Sequence, residues 1–487
     1  MKRVLILNRG EIACRLIQAC QELGLATVAV YSDVDRGSRH VDLADDAIHL
    51  EGAAPKETYL NLDVILPEAI RRGCDAVHPG YGFLSERAHA AEAFEKAGIR
   101  WIGPTPESIR KLGDKLEAKK LLDRFQVPTA PWGEVDLNDT KSLAALAQKI
   151  GYPVLLKAAS GGGGKGMRLV QSADQLADAA ASAAREAQAS FGDATLLVEK
   201  YVEEPRHVEI QILGDESGEV IHFGERECSL QRRHQKVVEE APAPNLSQKT
   251  KDAIAASAVA LAKGVGYRSA GTVEYLVDKH ENFYFLEVNS RLQVEHSVTE
   301  AVWGVDLVQA QLRIAQGARL KDLFPAARAP RGHAIQARVY AENAAQGFAP
   351  CPGPLSLVEW PTAVGLRVDT GVRTGSVIGL DYDAMIAKMT VYAEDRERAL
   401  NRLLWCLRRT VLFGTITNVN YLQDVLSLPA VRAGKMDVKM LERVLKDWND
   451  PLPEALLAEH AELLAAATPA AALGSAKQAL PSPWERP

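Results

Sequence analysis

The sequence is short of the patterns that would assign it to several common protein classes. None of its six cysteines belongs to a C-x-x-C pair, so they indicate reduced thiols and neither a zinc site nor a disulfide framework. No run of 18 apolar residues occurs, and the apolar run at the N-terminus is too short for a signal peptide. We therefore expect a cytoplasmic protein that does not associate with membranes.

Positive charge is also scarce. The 487 residues include 57 Lys and Arg against 63 Asp and Glu, a net charge of −6. This balance argues against a protein that binds nucleic acid through bulk charge, so an anionic ligand must be met by a local basic cluster. The apolar fraction of 47% is ordinary for a folded chain. The length predicts about three domains.

The first hundred residues alternate between strand and helix patterns. Apolar runs at 4–7, 26–31 and 75–77 predict strands, and a helical pattern covers 11–23. This alternation is typical of a parallel, Rossmann-like sheet. Ligands of such sheets gather at the carboxyl ends of the strands, where residues 8–10 and the loop with Tyr81 lie. The first loop has no G-x-G-x-x-G motif, which argues against NAD binding.

The rest of the chain follows a different pattern. Residues 114–323 combine strand pairs with Ala-rich helices, and 324–332 form a Pro/Ala/Arg-rich connection. Residues 332–447 begin with strands and finish with helices, and the tail at 448–487 predicts an amphipathic helix and a Pro-rich linker. The predicted fold class is therefore α/β and α+β, with domains at 1–113, 114–323 and 332–447 and a tail at 448–487.

A glycine-rich loop follows the strand pattern at 153–158. Four consecutive glycines at 161–164 allow backbone N–H groups to surround an anion, and Lys157 and Lys165 flank them. The loop is not a P-loop, because Lys165 is followed by Gly166 and not by Ser or Thr. A strand–loop–strand setting predicts a hairpin flap that closes over a nucleotide. A flexible surface linker is the alternative interpretation.

A basic cluster lies further along the chain. Residues 231–236, with the sequence QRRHQK, place three cations and a histidine in a chain that is acidic overall. Such a run is often a solvated face. Its position directly after a strand pattern favours contact with a triphosphate.

Two strand patterns at 271–278 and 283–289 flank a polar turn at 279–282 and predict a hairpin. If the hairpin is symmetric about that turn, Glu274 and Glu287 face each other, and Asn289 shares the face of Glu287. Facing carboxylates repel, so a divalent cation between them would explain the arrangement. Carboxylate and amide oxygens are hard ligands that suit Mg²⁺ or Mn²⁺.

The polar alternation continues through 287–295. Arg291 could hold a small anion on this stripe, and Glu295 could remove a proton from it. An exposed sheet face with opposite charges would give the same alternation. The stripe therefore predicts a reaction centre next to a metal site, with a solvated face as the alternative.

These segments together resemble the biotin carboxylases, members of the ATP-grasp superfamily. The resemblance covers roughly residues 1–445 and rests on the motifs at 8–13, 78–86, 113–115, 206–209, 231–236 and 287–296. It implies a Rossmann-like N-terminal domain, a central ATP-grasp domain with a glycine-rich lid, and a C-terminal biotin carboxylase domain. The family joins bicarbonate and ATP to give carboxyphosphate and ADP, and then carboxylates N1 of biotin on a carrier protein.

The resemblance also implies roles for individual residues. ATP would contact Lys115, Lys157, Gly161, Gly162, Gly163, Gly164, Glu199, Lys200, Tyr201, Val202, His207, Gln231, His234 and Leu276. Glu274, Glu287 and Asn289 match the ligands of Mg²⁺ or Mn²⁺. Bicarbonate and biotin would contact Tyr81, Lys236, Arg291, Gln293, Val294 and Arg338. The catalytic groups would be Glu295 as the base, with Arg291, Arg338 and Lys236.

The sequence departs from the family at a few positions. Ser297 replaces a common proline, and Ala159-Ser160 stands where some members have Ser-Gly. The pattern at 382–388 looks more like that of acyl-CoA carboxylase α chains. These differences touch none of the assigned catalytic groups.

The partners follow from the family as well. No Met-Lys-Met tripeptide occurs, so biotin would be carried by another chain, or this sequence is the front part of a longer one. The resemblance implies a homodimer that works with a biotin carboxyl carrier protein and carboxyltransferase subunits. Another ATP-grasp ligase, which joins a carboxylate to an amine, and a non-catalytic scaffold that retains ATP binding are the alternative functions.

Overall fold

The computed structural model describes residues 1–113, 115–135, 140–159, 167–326 and 328–450, and only the backbone at residues 115, 116, 140 and 191. Met1–Trp448 form one compact unit, which contains all the described helices and strands. The predicted glycine-rich lid and the predicted tail helix lie outside the described residues, apart from the first residues of the tail.

The N-terminal part confirms the predicted parallel sheet. Its elements are β1 (Arg3–Ile6), α1 (Gly10–Glu22), β2 (Ala26–Ser32), α2 (Arg39–Leu43), β3 (Asp46–Leu50), α3 (Leu62–Arg71), β4 (Ala76–His78), α4 (Ala88–Lys96), β5 (Arg100–Trp101) and α5 (Pro106–Gly113). The five strands are all parallel, in the order β3-β2-β1-β4-β5. Val4, Leu5 and Ile6 are fully buried because helices cover both faces of such a sheet.

The central part contains two antiparallel sheets and the helices that cover them. Its elements are α6 (Lys115–Arg124), β6 (Trp132–Val135), α7 (Thr140–Ile150), β7 (Val154–Ala158), β8 (Arg168–Val170), α8 (Leu176–Phe191), β9 (Leu196–Lys200), β10 (Arg206–Gly214), β11 (Val220–Arg232), β12 (Gln235–Ala241), α9 (Gln248–Gly264), β13 (Ser269–Val277), β14 (Phe283–Asn289), α10 (His296–Trp303), α11 (Leu307–Ala315) and α12 (Leu320–Leu323). The smaller sheet has the order β6-β9-β7-β8. Strands β7 and β8 pair antiparallel on either side of the glycine-rich segment, as predicted.

The C-terminal part extends the larger sheet. Its elements are β15 (His333–Tyr340), β16 (Glu342–Asn343), β17 (Ala349–Pro350), β18 (Gly353–Pro354), β19 (Leu357–Glu359), β20 (Leu366–Thr370), β21 (Val377–Ile378), β22 (Met385–Ala393), α13 (Arg396–Leu407), β23 (Val411–Phe413), α14 (Val419–Ser427), α15 (Pro429–Arg432) and α16 (Met440–Val444). The eight-stranded sheet has the order β14-β13-β10-β11-β12-β15-β22-β20. Strand β12 precedes the connection at 324–332 and strand β15 follows it, yet the two strands pair in this one sheet. The division into separate domains therefore stays a prediction.

The two faces of the eight-stranded sheet differ in chemistry. On β10 and β13, Val208, Ile210 and Val273 pack with Ile254 and Ala258 of α9 in one apolar cluster. Because side chains alternate along a strand, the residues between them face the opposite side. That side carries the predicted site residues His207 and Glu274.

Strand β11 is longer than the sequence predicts. The apolar pattern indicates a strand at 220–223, whereas the strand continues to Arg232. The added part includes Arg226, which is fully buried and donates a hydrogen bond of 2.5 Å to Glu209. Buried ion pairs of this kind satisfy charged side chains inside a sheet, and an apolar–polar alternation does not reveal them.

Candidate active site

Lys236 of β12 is the centre of the polar side of the sheet. Its ammonium lies 2.7 Å from Glu209, 2.8 Å from Glu274 and 2.7 Å from Glu295. The three carboxylates come from β10, from β13 and from the residue before α10. Burial would lower the pKa of Lys236, but the three carboxylates outweigh it and raise the pKa well above its usual value. Lys236 is therefore a fixed positive charge.

Glu295 lies between two cations. Its side chain is fully buried, and its Oε2 accepts a hydrogen bond of 3.0 Å from Arg338 while Oε1 contacts Lys236. Burial would raise the pKa of the carboxyl, but Lys236, Arg338 and Arg226 hold it well below its usual range. The carboxylate is thus ionised at neutral pH and able to accept a proton. Arg338 is itself oriented by a 2.5 Å hydrogen bond to Glu239.

The β13–β14 hairpin brings Glu274 opposite Glu287, which confirms the predicted pairing. The assumed register was wrong near the turn, because Val277 pairs with Phe283 and Tyr275 with Phe285. An irregularity between Glu274 and Tyr275 then shifts the ladder by one residue. The two carboxylates face each other because of this bulge and not because the hairpin is symmetric.

Two of the three predicted metal ligands, Glu274 and Asn289, are joined by a direct hydrogen bond. Glu274 accepts hydrogen bonds of 2.7 Å from Asn289 and 2.9 Å from Gln293, and lies 2.9 Å from His207. Asn289 accepts a hydrogen bond of 2.7 Å from Arg291. Burial would raise the pKa of Glu274, but Lys236 and His207 lower it far below its usual value.

The electrostatics of this group fit a divalent cation. Glu287 reaches the surface and makes no hydrogen bond within the described part of the chain. The surrounding protein raises the pKa of its carboxyl, and Glu274 and Glu86 add to the effect. A cation would relieve this repulsion, and the oxygen donors suit Mg²⁺. Asn289 would have to release Arg291 to contribute its oxygen.

Glu209 is a residue of this site that has no role in the sequence-based prediction. This fully buried residue lies close to His207 and Glu274, and the three could offer ligand atoms within 4.8 Å of one another. Its place two residues after His207 on one strand was the available signal, because both then share a face.

A cavity of about 650 Å³ opens beside the sheet and gathers most of the predicted ATP contacts. Its lining includes Lys157, Glu199, Lys200, Tyr201, Val202, His207, Gln231, His234 and Leu276. We call it the nucleotide cavity. The side chain of Lys115 and the four glycines of the lid lie outside the described residues.

Two lysines at or near the nucleotide cavity share one carboxylate. Glu199 forms ion pairs with Lys157 and with Lys119, a residue that the sequence analysis missed. Burial would raise the pKa of Glu199, but the two ammonium groups lower it. Lys200 is used differently, since its ammonium donates 2.9 Å hydrogen bonds to the carbonyls of Gly151 and Tyr152.

The basic cluster at 231–236 is the tip of the β11–β12 hairpin. Arg233 and His234 form its two-residue turn, and both have positive φ, 46° and 65°. Residues other than glycine and asparagine seldom adopt a positive φ, and strained backbone of this kind is often found at functional sites. Arg232 does not face a phosphate as the sequence suggested. It pairs with Glu342 and stacks 4.3 Å from the ring of Phe348.

A second cavity, of about 640 Å³, contains much of the predicted bicarbonate and biotin site. Tyr81, Arg291, Val294 and Arg338 line it, whereas Lys236 and Gln293 are not among its lining residues. The Arg291 guanidinium lies 3.0 Å from Glu86, a residue of the motif at 78–86 for which the sequence predicted no role. We call this the acceptor cavity.

Two further observations bear on the class of protein. All six cysteines are free, and five of them are buried. Within the described part of the chain, no helix combines the length and the apolar character needed to cross a membrane.

Three family models match the chain. A model described as the ATP-binding domain of the carbamoyl-phosphate synthase L chain covers residues 114–323. Models of the N-terminal and C-terminal domains of biotin carboxylase cover 1–109 and 336–443. All strands of the smaller sheet, strands β10–β14 of the larger sheet and most residues that line the nucleotide cavity lie within the segment that matches this ATP-binding domain.

Similar proteins agree with these models. Biotin carboxylase of Nostoc sp. is 45% identical over 444 residues, which are 91% of this chain and 99% of that protein. Methylcrotonoyl-CoA carboxylase subunit alpha of rice is 47% identical over 97% of this chain and 64% of its own length. The chain belongs to the biotin carboxylase family. It spans between 61% and 64% of the length of the plant methylcrotonoyl-CoA carboxylase subunits it matches.

Solved structures share the fold. The biotin carboxylase domain of Hydrogenobacter thermophilus 2-oxoglutarate carboxylase, a dimer in complex with MgADP, ADP and bicarbonate, has a TM-score of 0.87 at 42% identity, with 92% of this chain and 98% of that chain covered. Campylobacter jejuni biotin carboxylase also has a TM-score of 0.87, at 39% identity over 91% of this chain and 98% of its own.

Proposed function

We propose that this protein carboxylates biotin with bicarbonate in an ATP-dependent reaction that proceeds through carboxyphosphate. The observation that carries the proposal is the position of Glu295. Its buried, ionised carboxylate contacts Lys236 on one oxygen and Arg338 on the other, and Arg338 lines the acceptor cavity. The two cations keep the carboxylate ionised and would hold a small anion beside it, where Glu295 could take the proton of that anion.

The nucleotide cavity supports ATP as the phosphoryl donor. Lys157 shares the carboxylate of Glu199 with Lys119, so positive charge remains available for phosphate oxygens. His207 and Gln231 both line this cavity, and the Gln231 amide lies 2.8 Å from the His207 ring. We assign the adenine pocket to residues 199–202 and Leu276, and the phosphate contacts to Lys115, Lys157, the lid and His234.

Glu274, Glu287 and Asn289 would hold Mg²⁺ or Mn²⁺. A cation bound there supplies charge neutralisation on the nucleotide phosphates during transfer. The residues of this chain do the remaining work. Glu274 keeps Lys236, Asn289 and Gln293 in place through direct hydrogen bonds, which links the metal group to the bicarbonate group.

Bicarbonate would bind between Arg291, Gln293, Val294 and Lys236, and Glu295 would take its proton. Its deprotonated oxygen would then attack the γ-phosphate of ATP, giving carboxyphosphate and ADP. Arg338 would stabilise the enolate of biotin, and Tyr81 would border the ring. Hydrogen bonds that fix these groups before the reaction lower the cost of reorganisation during the reaction.

We also propose the partners that the family implies. A biotin carboxyl carrier protein or domain would bring biotin to the acceptor cavity, and carboxyltransferase subunits would use the product as the second half of an acyl-CoA carboxylase. A homodimer is part of this proposal. A cytoplasmic location remains a proposal too, and several relatives are named as mitochondrial proteins.

The proposal is tested by the release of ADP from the purified chain. ADP release should require bicarbonate and should rise when free biotin or a biotinylated carrier is added. A matched reaction offers an amine with a carboxylate and no biotin. Turnover in that reaction alone would favour the carboxylate–amine ligase, and ATP binding without turnover in either would favour the scaffold.

A further inference from the structure

Two of the motifs singled out in the sequence have no role in the proposed reaction. One contains Glu11 at the start of α1, and the other ends in Lys388 on β22. The side chains of these residues meet behind the acceptor cavity, where their charged atoms are 3.4 Å apart. Residues 377 positions apart in sequence thus form one buried contact beside the proposed site.

Lys388 is a fully buried lysine whose ammonium has a backbone partner. Its Nζ donates a hydrogen bond of 2.9 Å to the carbonyl of Val294 and lies 3.7 Å from Asp369. Val294 lines the acceptor cavity and directly precedes the proposed base Glu295. Burying an ammonium group costs free energy, so the hydrogen bond from Lys388 to the Val294 carbonyl needs a physical explanation.

The hydrogen bond has a geometric consequence. The carbonyl of Val294 and the amide of Glu295 belong to one planar peptide group. A donor that holds the carbonyl therefore also fixes the plane from which the Glu295 side chain extends. Glu295 precedes the first turn of α10 with φ −86° and ψ 14°, and its side chain makes no capping hydrogen bond, so the helix start does not orient it.

Lys388 also lies close to Glu11 and Tyr81, two other residues that line the acceptor cavity. Glu11 lines the acceptor cavity, and its Oε1 accepts a hydrogen bond from the hydroxyl of Tyr81. Its Oε2 is buried without a hydrogen-bond partner in the described part of the chain. The Lys388 ammonium also lies 5.8 Å from the ring of Tyr81. One cation thus contacts both the Val294 side and the Tyr81 side of the cavity.

We propose that Lys388 is a positioning residue, which holds the Val294–Glu295 peptide group and, through Glu11, the Tyr81 ring in the orientation that the bicarbonate and biotin reaction requires. This rests on the proposed function. Lys388 does not itself touch substrate, because it is fully buried behind the wall.

The first test replaces the ammonium with an apolar chain of similar length. Lys388→Met should lower kcat/KM for bicarbonate about a hundredfold, since small misplacements of reacting groups have effects of this size. The affinity for ATP, measured by titration calorimetry, should stay the same. Lys251→Met is the matched control, because Lys251 pairs with Glu225 away from both cavities; it should leave both quantities unchanged.

A second variant separates positioning from charge balance. Lys388→Met leaves Glu11 without its cation, whereas Asp369 keeps its ion pair with Arg367, and the loss at Glu11 should reduce stability for that reason alone. Lys388→Met combined with Glu11→Gln removes the unpaired carboxylate. Its Tm should return close to that of the wild type, while kcat/KM for bicarbonate stays low. Recovery of kcat/KM together with the Tm would overturn the proposal, as would an unchanged kcat/KM in Lys388→Met.

The outcomes are distinguishable from a failure of the proposed function. If the wild type shows no bicarbonate-dependent ADP release, the proposed function fails before any variant is compared. If the wild type turns over and the charge-compensated variant does too, only the role of Lys388 is refuted.

Discussion

The nucleotide cavity and the acceptor cavity balance their charges in different ways. At the nucleotide cavity, Lys157 and the nearby Lys119 share the single carboxylate of Glu199. At the acceptor cavity, each arginine has a carboxylate of its own. The pairs are Arg9 with Asp35, Arg291 with Glu86, and Arg338 with Glu239 and Glu295.

The difference matches the ligands that we propose. Shared carboxylates leave an excess of positive charge, which a triphosphate can neutralise when it binds. Paired arginines leave little excess, but each guanidinium is held in a fixed orientation. A small, singly charged ion such as bicarbonate needs oriented donors more than it needs net charge. Lys236 links the two sites, because its ammonium contacts both Glu274 of the metal group and the proposed base Glu295.

The largest loss of stability and turnover is expected when Lys236 is replaced. Lys236→Met leaves three buried carboxylates without their ammonium, so the free energy of unfolding should fall by about 3–5 kcal/mol at neutral pH and turnover should be lost. Lys236 lowers the pKa of Glu274 and Glu295 in the folded state, and such groups stabilise the fold above their unfolded pKa. The deficit should therefore persist from pH 8 down to about pH 5 and shrink as the pH falls below about 4.3, the unfolded pKa of glutamate.

Urea denaturation between pH 3 and pH 8 measures this deficit. A deficit that does not shrink below about pH 4 would contradict the assignment of Lys236 as the cation of the three carboxylates. Lys251→Met, which removes an ammonium that serves one carboxylate, provides the baseline.

The excess charge of the group formed by Lys119, Lys157 and Glu199 gives the next prediction. Lys157→Met should weaken ATP binding by about 1.5–3 kcal/mol, because a charged hydrogen-bond donor to phosphate is lost. The KM for bicarbonate should not change. Lys119→Met is the comparison variant, because it removes the same excess charge but keeps the ammonium that lines the cavity, so it should weaken ATP binding less than Lys157→Met. Equal losses of ATP affinity in both variants would show that net charge, and not a hydrogen bond from Lys157 to phosphate, is responsible.

Glu342, the partner of Arg232 in the β11–β12 hairpin, predicts a dependence of stability on pH. Burial raises the pKa of Glu342 to about 7, although Arg232 opposes the shift. A carboxyl whose pKa is raised in the folded state lowers stability as the pH rises from its unfolded value, about 4.3, to about 7. Glu342→Gln should remove this component of the pH dependence. Denaturation midpoints of the wild type and the variant at pH 5 and pH 8 measure it, and parallel pH profiles would refute it.

The smallest effect concerns the outer edge of the nucleotide cavity. The ammonium of Lys439 lies 5.0 Å from the centre of the Tyr201 ring. An exposed cation–π contact contributes about 0.5–1 kcal/mol, so Lys439→Ala should weaken ATP binding by only a few-fold. Lys435→Ala, on the same exposed segment, should have no effect on ATP affinity. A loss of affinity at Lys435 would indicate that net charge, and not the ring contact, is responsible.

Much of the nucleotide cavity could be predicted from local sequence. Its walls come from continuous strands such as β7 and β9, whose apolar alternation marks their bounds to within a few residues. The strand–loop–strand pattern around the glycines also predicted the β7–β8 pairing. Local patterns report local structure, and this cavity is built mostly from such pieces.

The acceptor cavity could not be predicted in the same way. Arg338 and Glu239 lie 99 positions apart, and only the β12–β15 pairing brings them together. The bulge that sets Glu274 against Glu287 has no signal in the composition of the hairpin, which is why the symmetric register was wrong near the turn. The resemblance named these residues, whereas their partners Glu86, Glu209 and Lys388 emerge only from tertiary contacts.

The central claim is that Glu295 is the base of a bicarbonate-dependent reaction whose nucleotide is bound elsewhere. Glu295→Ala tests it most directly, with ATP affinity and biotin-dependent ADP release measured on the same preparation. ATP affinity should remain at the wild-type value, while turnover should fall by about 10²–10⁴-fold, the usual contribution of a general base. Turnover that survives the substitution at the wild-type rate would contradict the account.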